Sequence, residues 1–199
     1  MRRTHDVTTP GSQAGTKERL NLVLVGVAGV GKTTLGEGVA RRLGLSFWDV
    51  DMGFEASEGA DIDTLLARYG DEELDSRLVK YCASKLFRVS RRTIVAAPAR
   101  VTHYKSFWEA VRTSAIAIHL RGKPLEIYMR QDVWVDGRKL TMEEKLEDPW
   151  KQDYYEYYWW RLQHCQKAGR TIRIVGDLQA DLERLCGVIQ DLVSTIGPP

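Results

Sequence analysis

Residues 21–33 read Asn-Leu-Val-Leu-Val-Gly-Val-Ala-Gly-Val-Gly-Lys-Thr, a short apolar run that passes directly into the spacing G-x-x-x-x-G-K-T. The run Leu22–Val25 is continuous rather than alternating, as expected of a strand covered on both faces. After the glycines, Leu35, Val39 and Leu43 recur at i, i+4 and i+8, a helical stripe that stops at Gly44. A glycine-rich turn between a buried strand and a helix converges its backbone N–H groups, and the helix N-terminus adds positive potential. Such a turn is built to hold phosphate. Its expected nucleotide-binding residues are Gly26, Ala28, Gly29, Val30, Gly31, Lys32, Thr33 and Thr34. Lys32 would reach the β- and γ-phosphates, as a catalytic residue, and the Thr33 hydroxyl would ligate Mg²⁺.

The remainder of the chain fits that start. Candidate strands at Asn21–Val25, Ser46–Asp49, Thr93–Ala97, Ser114–Leu120 and Thr171–Val175 alternate with helical segments at Lys32–Leu43, Asp71–Phe87 and Pro124–Arg130. A C-terminal stripe of Leu178, Leu182, Leu185, Ile189, Leu192 and Ile196 adds another helix. This is the pattern of βαβ units: an α/β domain in three layers, with a five-stranded parallel sheet between helices. At 199 residues the chain has the size of one domain, here residues 19–199, preceded by a polar tail (1–18) expected to be flexible.

Composition removes several classes of function. With 29 basic and 27 acidic residues there is no electrostatic footprint for nucleic acid. No apolar run approaches the roughly 18 residues of a membrane span. The three cysteines (Cys82, Cys165, Cys186) are widely spaced and have no metal-ligand pattern with the four histidines. No secretory signal precedes the domain, so the expected setting is cytoplasmic and the expected state a monomer or homodimer.

Guanine specificity needs an N-K-x-D loop, and the only asparagine, Asn21, lies inside the first strand. That argues against a GTPase, and ATP is the expected nucleotide. The third and fourth strands end Val95-Ala96-Ala97-Pro98 and His119-Leu120-Arg121, without an acid for the metal. Phe47-Trp48-Asp49-Val50-Asp51 supplies two, beside the phosphate loop at the carboxyl edge of the sheet. At i and i+2 of an extended segment they share a side, so one can reach the Mg²⁺ shell while the other meets the phosphoryl acceptor.

In these features the chain resembles the shikimate kinase family, from about Asn21 to Val193. The resemblance rests on the loop, on Thr34-Leu35-Gly36…Leu43-Gly44 and on Asp49-Val50-Asp51. It implies the P-loop kinase fold with a mobile lid at about residues 131–149. It also implies Asp49 in the Mg²⁺ shell, and Asp51 holding the acceptor hydroxyl and acting as its base. Gly137-Arg138-Lys139-Leu140 resembles the family's Arg-Pro-Leu-Leu, which would make Arg138 the catalytic lid arginine. Arg130 would be the arginine on the nucleotide side, and Val175-Gly176-Asp177 the adenine-side loop. Gly36, costly in a helix interior, is explained in that family by close packing on the sheet.

The departures fall on the acceptor side. Asp75 stands where the family has an arginine for the substrate carboxylate, and Ala96-Ala97-Pro98 stands in place of a glycine triplet, with Ala97 against the substrate. Lys151, before Tyr155, stands for a second substrate arginine, and Arg77 or Arg100 lies near enough to compensate. Aspartate cannot replace a bidentate guanidinium, and lysine replaces it poorly. The implied substrate is a small-molecule alcohol other than shikimate: a less anionic polyol, sugar-like or cyclitol acceptor. Three alternatives stay open: shikimate itself with rewired anchors, a nucleotide-binding regulatory module without chemistry, and a nucleoside monophosphate kinase, for which the basic residues that clamp an acceptor phosphate are not evident after the second strand. Residues 150–160, with Trp150, Tyr154, Tyr157, Tyr158 and Arg161 on one helical face, fit either core or dimer packing or the wall of a cleft.

Overall fold

The computed structural model describes residues 21–196 except 87, 90, 91, 136, 137 and 150. The expected tail (1–18), and with it Phe87, Gly137 and Trp150, lies outside the described residues. Five parallel strands form one sheet: β1 (Asn21–Val25), β2 (Ser46–Asp49), β3 (Thr93–Ala96), β4 (Ala115–Arg121) and β7 (Arg170–Arg173), in the order β2-β3-β1-β4-β7. A two-residue hairpin, β5 (Trp134–Val135) and β6 (Arg138–Lys139), stands apart in the expected lid. The helices are α1 (Lys32–Leu43), α2 (Val50–Glu58), α3 (Ile62–Leu86), α4 (Lys105–Ser114), α5 (Pro124–Arg130), α6 (Met142–Glu147), α7 (Lys151–Cys165) and α8 (Leu178–Ile196).

β1 is buried along its whole length, so both faces of the central strand need cover. One face carries Val23, Val25 and Val95 against Leu74, Leu78 and Phe107 from α3 and α4. The other carries Leu22, Leu24, Ile118 and Leu120 against Leu35 and Val39 of α1 and Leu185 and Ile189 of α8. These are the expected three layers. In α8 the stripe is buried from Leu182 to Leu192, whereas Leu178 is exposed. It starts the helix, before the stripe meets α1. Asn21 is buried and its side-chain carbonyl accepts the Thr93 N–H (3.1 Å), tying β1 to β3.

Two glycines are fixed by close approach. A Cβ on Gly26 (φ +158°) would fall 2.6 Å from the Leu120 carbonyl oxygen, and one on Gly36 would fall 2.6 Å from the Phe47 ring. The first lets the loop cross the end of β4, and the second lets α1 settle on β2. Among the described residues, the helices α2, α4 and α6 were not foreseen. α2 begins at the residue after β2, and α3 starts nine residues before the expected Asp71 because Gly70 (φ +74°) breaks it into two helical pieces.

Candidate active site

The phosphate loop joins β1 to α1, held down by Val27 and Val30, which are buried, with Ala28, Gly29, Thr33 and Thr34 exposed above them. The Lys32 ammonium donates to the carbonyls of Gly26 (3.1 Å) and Val27 (3.0 Å). Burial lowers its pKa, against the opposing pull of Asp51 and Asp49. Gln131, just past α5, donates to the Ala28 carbonyl (2.9 Å) and packs against Gly29. Nothing in the sequence singled out this contact.

Asp49 ends β2 and caps α2. One carboxylate oxygen accepts the N–H groups of Asp51 (3.0 Å) and Met52 (3.2 Å), and the other accepts the Thr33 hydroxyl at 2.6 Å. The cap fixes the carboxylate, and the hydroxyl–carboxylate pair is the hard-oxygen donor set that Mg²⁺ prefers. These residues fit Mg²⁺ completed by nucleotide phosphates and water. Among the described residues, no group of three or more His, Cys, Asp or Glu could hold a metal without them.

Asp51 corrects the expected geometry. It is not the second acid of an extended pair but sits in the first turn of α2, because the strand stops at the cap residue. It still shares the neighbourhood of Lys32 and Asp49. Burial, then the Asp49 charge, raises its pKa to about 6, with Lys32 pulling the other way.

The residues expected on the acceptor side come from distant elements. Asp75 is buried on α3 and takes the Arg100 guanidinium as its partner; the same guanidinium donates to Asp71 (2.7 Å). Tyr104 donates to the second Asp75 oxygen (3.3 Å), and His103 stands 4.0 Å from it. Arg161, on α7, is 7% exposed. It donates to the Arg100 carbonyl (3.3 Å), meets His103 Nδ1 (2.9 Å) and lies over the Trp160 ring (4.5 Å). Its charge reaches Lys32, whose pKa it helps to lower. No described carboxylate pairs with it.

Several expected acceptor residues go elsewhere. Lys151 curls back onto the Leu146 carbonyl at the start of α7, so Arg161, ten residues on, is the cation that α7 brings towards Lys32. The sequence signal for it was present: a lone guanidinium on an aromatic helix face, four residues after Tyr157. Arg77 ion-pairs with Glu73 (2.8 Å) and covers the Tyr69 ring, because two residues along a helix turn it away from Asp75's side. Arg100 is the arginine that reaches Asp75. Ala97 is buried and its N–H donates to the Leu24 carbonyl (3.0 Å), leaving no free donor for a substrate. Tyr155 packs near Tyr154 (6.2 Å) and bears on Tyr128, beside α5 rather than Arg161.

On the nucleotide side, Arg130 lies directly against Gly176, in the space a side chain would occupy, which joins the two residues expected there. Arg138, on β6, forks onto Glu144 (2.9 and 2.8 Å) and is 63% exposed. Lys145, buried, donates to the Met129 and Gln131 carbonyls (3.1 and 2.6 Å), so α6 is fastened to the end of α5.

A family model for shikimate kinase matches residues 28–175. The shikimate kinase of Thermodesulfovibrio yellowstonii is 28% identical over 110 residues, which are 55% of this chain and 62% of that protein. The chain spans less than two thirds of the length of such curated relatives. The crystal structure of shikimate kinase from Bacteroides thetaiotaomicron superposes with a TM-score of 0.73 at 17% identity, covering 86% of this chain and 98% of that one. A gluconokinase from Sinorhizobium meliloti shares the fold at a TM-score of 0.56 and 16% identity, over 89% and 95% of the two chains. With the family model covering well over half of its residues, and with the loop, the capped Asp49 and the sheet order in place, this chain belongs to the shikimate kinase family.

Proposed function

We propose that the protein is an ATP-dependent small-molecule kinase that moves the γ-phosphoryl group to a hydroxyl of an alcohol other than shikimate. The observation that carries the kinase reading is the Thr33–Asp49 hydrogen bond of 2.6 Å beside Asp51. It sets the phosphate loop, a metal-binding oxygen pair and a carboxylate of raised pKa within one cluster.

In this reading Lys32 leaves the Gly26 and Val27 carbonyls for the phosphates, and the N–H groups at the start of α1 hold the same oxygens. Mg²⁺, when bound at Thr33 and Asp49, neutralises phosphate charge. Asp51 accepts the acceptor's hydroxyl proton as the oxygen attacks phosphorus and the bond to the leaving ADP oxygen breaks. A pKa near 6 suits a base that is ionised at neutral pH yet able to hold a proton. Arg138 joins the transfer when the hairpin closes and its fork on Glu144 is exchanged for phosphoryl oxygens.

For the acceptor, the position where the family carries a substrate arginine holds Asp75, whose charge is met by Arg100. An array of carboxylate, guanidinium, Tyr104 hydroxyl and His103 offers both donors and acceptors, which suits a hydroxyl-rich ring better than a second carboxylate. The gluconokinase neighbour acts, by its name, on a sugar acid, within the same fold. A second reading retains shikimate, and one observation favours it: Arg161 is a buried guanidinium with no described carboxylate partner, as an anion-binding group would be. Acceptor-dependent ADP formation, measured across shikimate, gluconate, cyclitols and neutral polyols, separates them. A non-shikimate alcohol should exceed shikimate by at least about tenfold in kcat/KM. If shikimate leads, the acceptor assignment fails; if no compound supports turnover while MgATP binds, the regulatory module is the correct reading.

A further inference from the structure

Where β4 pairs with the edge strand β7, described residues line an open cavity of about 420 Å³. Its volume is typical of a small-ligand cleft. Arg121, Lys123, Thr171, Arg173, Tyr158 and Trp159 line it. None of them belongs to the loop, the Asp49–Asp51 cluster or the Arg130–Gly176 contact.

The sheet register makes this cavity unusual. β4 and β7 pair in parallel with Arg121 opposite Arg173 and His119 opposite Thr171. In-register partners project on the same face, with strands roughly 4.8 Å apart, so two guanidinium groups start side by side. Neither ion-pairs with a described carboxylate. Glu126, on α5, is bonded to Lys123 (2.6 Å), and its carboxyl is held below the usual range by Lys123 first, then by Arg130 and Arg173. His119, buried, is pushed down to about 4 and is neutral at physiological pH. The lining therefore carries more positive than negative charge, with two fork-shaped donors suited to a dianion, one of them also bonded to the Tyr158 hydroxyl. Trp159 is half exposed and stands edge-on to Tyr158 (5.3 Å), which leaves an indole surface open to the cavity.

We propose that this cavity is a second ligand site, independent of the nucleotide site, for a small molecule that carries a phosphomonoester on a ring. The phosphate lies between Arg121 and Arg173 with Lys123 beside it, and the ring lies on Trp159. Both arginines are exposed at strand ends, so glutamine at either position retains a hydrogen-bonding side chain without opening the core.

The test is calorimetric titration of the full chain with phenyl phosphate, inorganic phosphate and phenol. Phenyl phosphate should bind the wild-type protein and Lys32→Met with dissociation constants within twofold of each other. Arg173→Gln and Arg121→Gln should each weaken it at least tenfold. Trp159→Ala should weaken phenyl phosphate but leave inorganic phosphate unchanged, and phenol should give no heat. Thermal melts establish that each variant is folded, and if Arg121→Gln is not, Arg173→Gln decides alone. The proposal is overturned if no phenyl phosphate heat is seen up to about 10 mM. It is also overturned if Lys32→Met abolishes binding while Arg173→Gln retains it, which would locate the anion at the phosphate loop.

Discussion

The two halves of the candidate active site are put together in different ways. The phosphate half, from Gly26 to Asp51, comes from one continuous stretch in which each element fixes the next. β1 delivers the loop, Gly26 lets it pass the Leu120 carbonyl, Gly36 seats α1 on β2, and β2 ends in a carboxylate that both caps α2 and receives Thr33. The proposed acceptor half joins Asp75 of α3, Arg100 and Tyr104 after β3, and Arg161 of α7, which meet only once the sheet is formed. The first is a backbone geometry with little freedom to vary. The second is a set of side-chain partners, and a charge reversal at one position can be met by an arginine from another element.

The largest effect should follow from the most constrained residue. Lys32→Met removes the one ammonium the loop presents. Turnover should fall by more than about 10³-fold, while the melting temperature changes by only a few degrees because Lys32 is not part of the apolar core. A coupled ADP assay and a thermal melt read the two quantities. A variant that retains a tenth of the activity would mean that the phosphate half is not where the charge is handled.

Next comes Asp51→Asn, with opposite effects on rate and stability. Loss of the base should cost about 10²–10⁴-fold in kcat while MgATP affinity is unchanged. In the wild type, kcat should fall as pH drops through about 6, where Asp51 gains its proton. The stability sign is reversed. The folded carboxyl holds its proton up to about 6 and the unfolded one only to about 3.8, so the folded state is progressively penalised as pH rises between those values. Asp51→Asn should thus melt above wild type at pH 7–8, with the gap closing towards pH 4. Equal melting temperatures at pH 8 would remove the case for a desolvated carboxylate.

What the sequence made legible follows the same division. The five strands, the loop and the C-cap of α1 could be read because a spacing of glycines or an apolar period encodes a local backbone path, whereas the role of Gly36 came only through the family resemblance. The Asp49–Asp51 pair was found but misplaced, since the N-cap that bends the chain after β2 depends on a side-chain oxygen rather than on periodicity. Arg161 was visible as an arginine among aromatics, but its meeting with Arg100 and His103 is a product of tertiary packing. Lys151 was matched to the family's second substrate arginine by its place before Tyr155, although its actual partner is a carbonyl five residues back.

Arg161→Lys sharpens the contrast at intermediate size. One terminal nitrogen of Arg161 meets both the Arg100 carbonyl and His103 while its Nε donates to the Tyr157 hydroxyl (3.3 Å), a divergent pair of donors that a single ammonium cannot reproduce. The acceptor KM should rise by about 10–100-fold with nucleotide KM unchanged, and kcat should move less than KM. An equal loss in kcat with constant KM would shift Arg161 from holding the acceptor to the transfer step itself.

The smallest effect is the most pointed. Lys151→Ala and Arg77→Ala alter two cations that sequence comparison places at the substrate and the structure commits elsewhere, one to the Leu146 carbonyl and one to Glu73 and the Tyr69 ring. Exposed pairs of this kind contribute about 0–1 kcal/mol, so both variants should fold, and the acceptor KM should stay within about twofold of wild type. If Lys151→Ala instead raised KM as strongly as Arg161→Lys, α7 would have to turn or slide during binding so that its first residue reaches the acceptor. The partner network around Arg161 would then describe a resting arrangement rather than the one in which the acceptor is held.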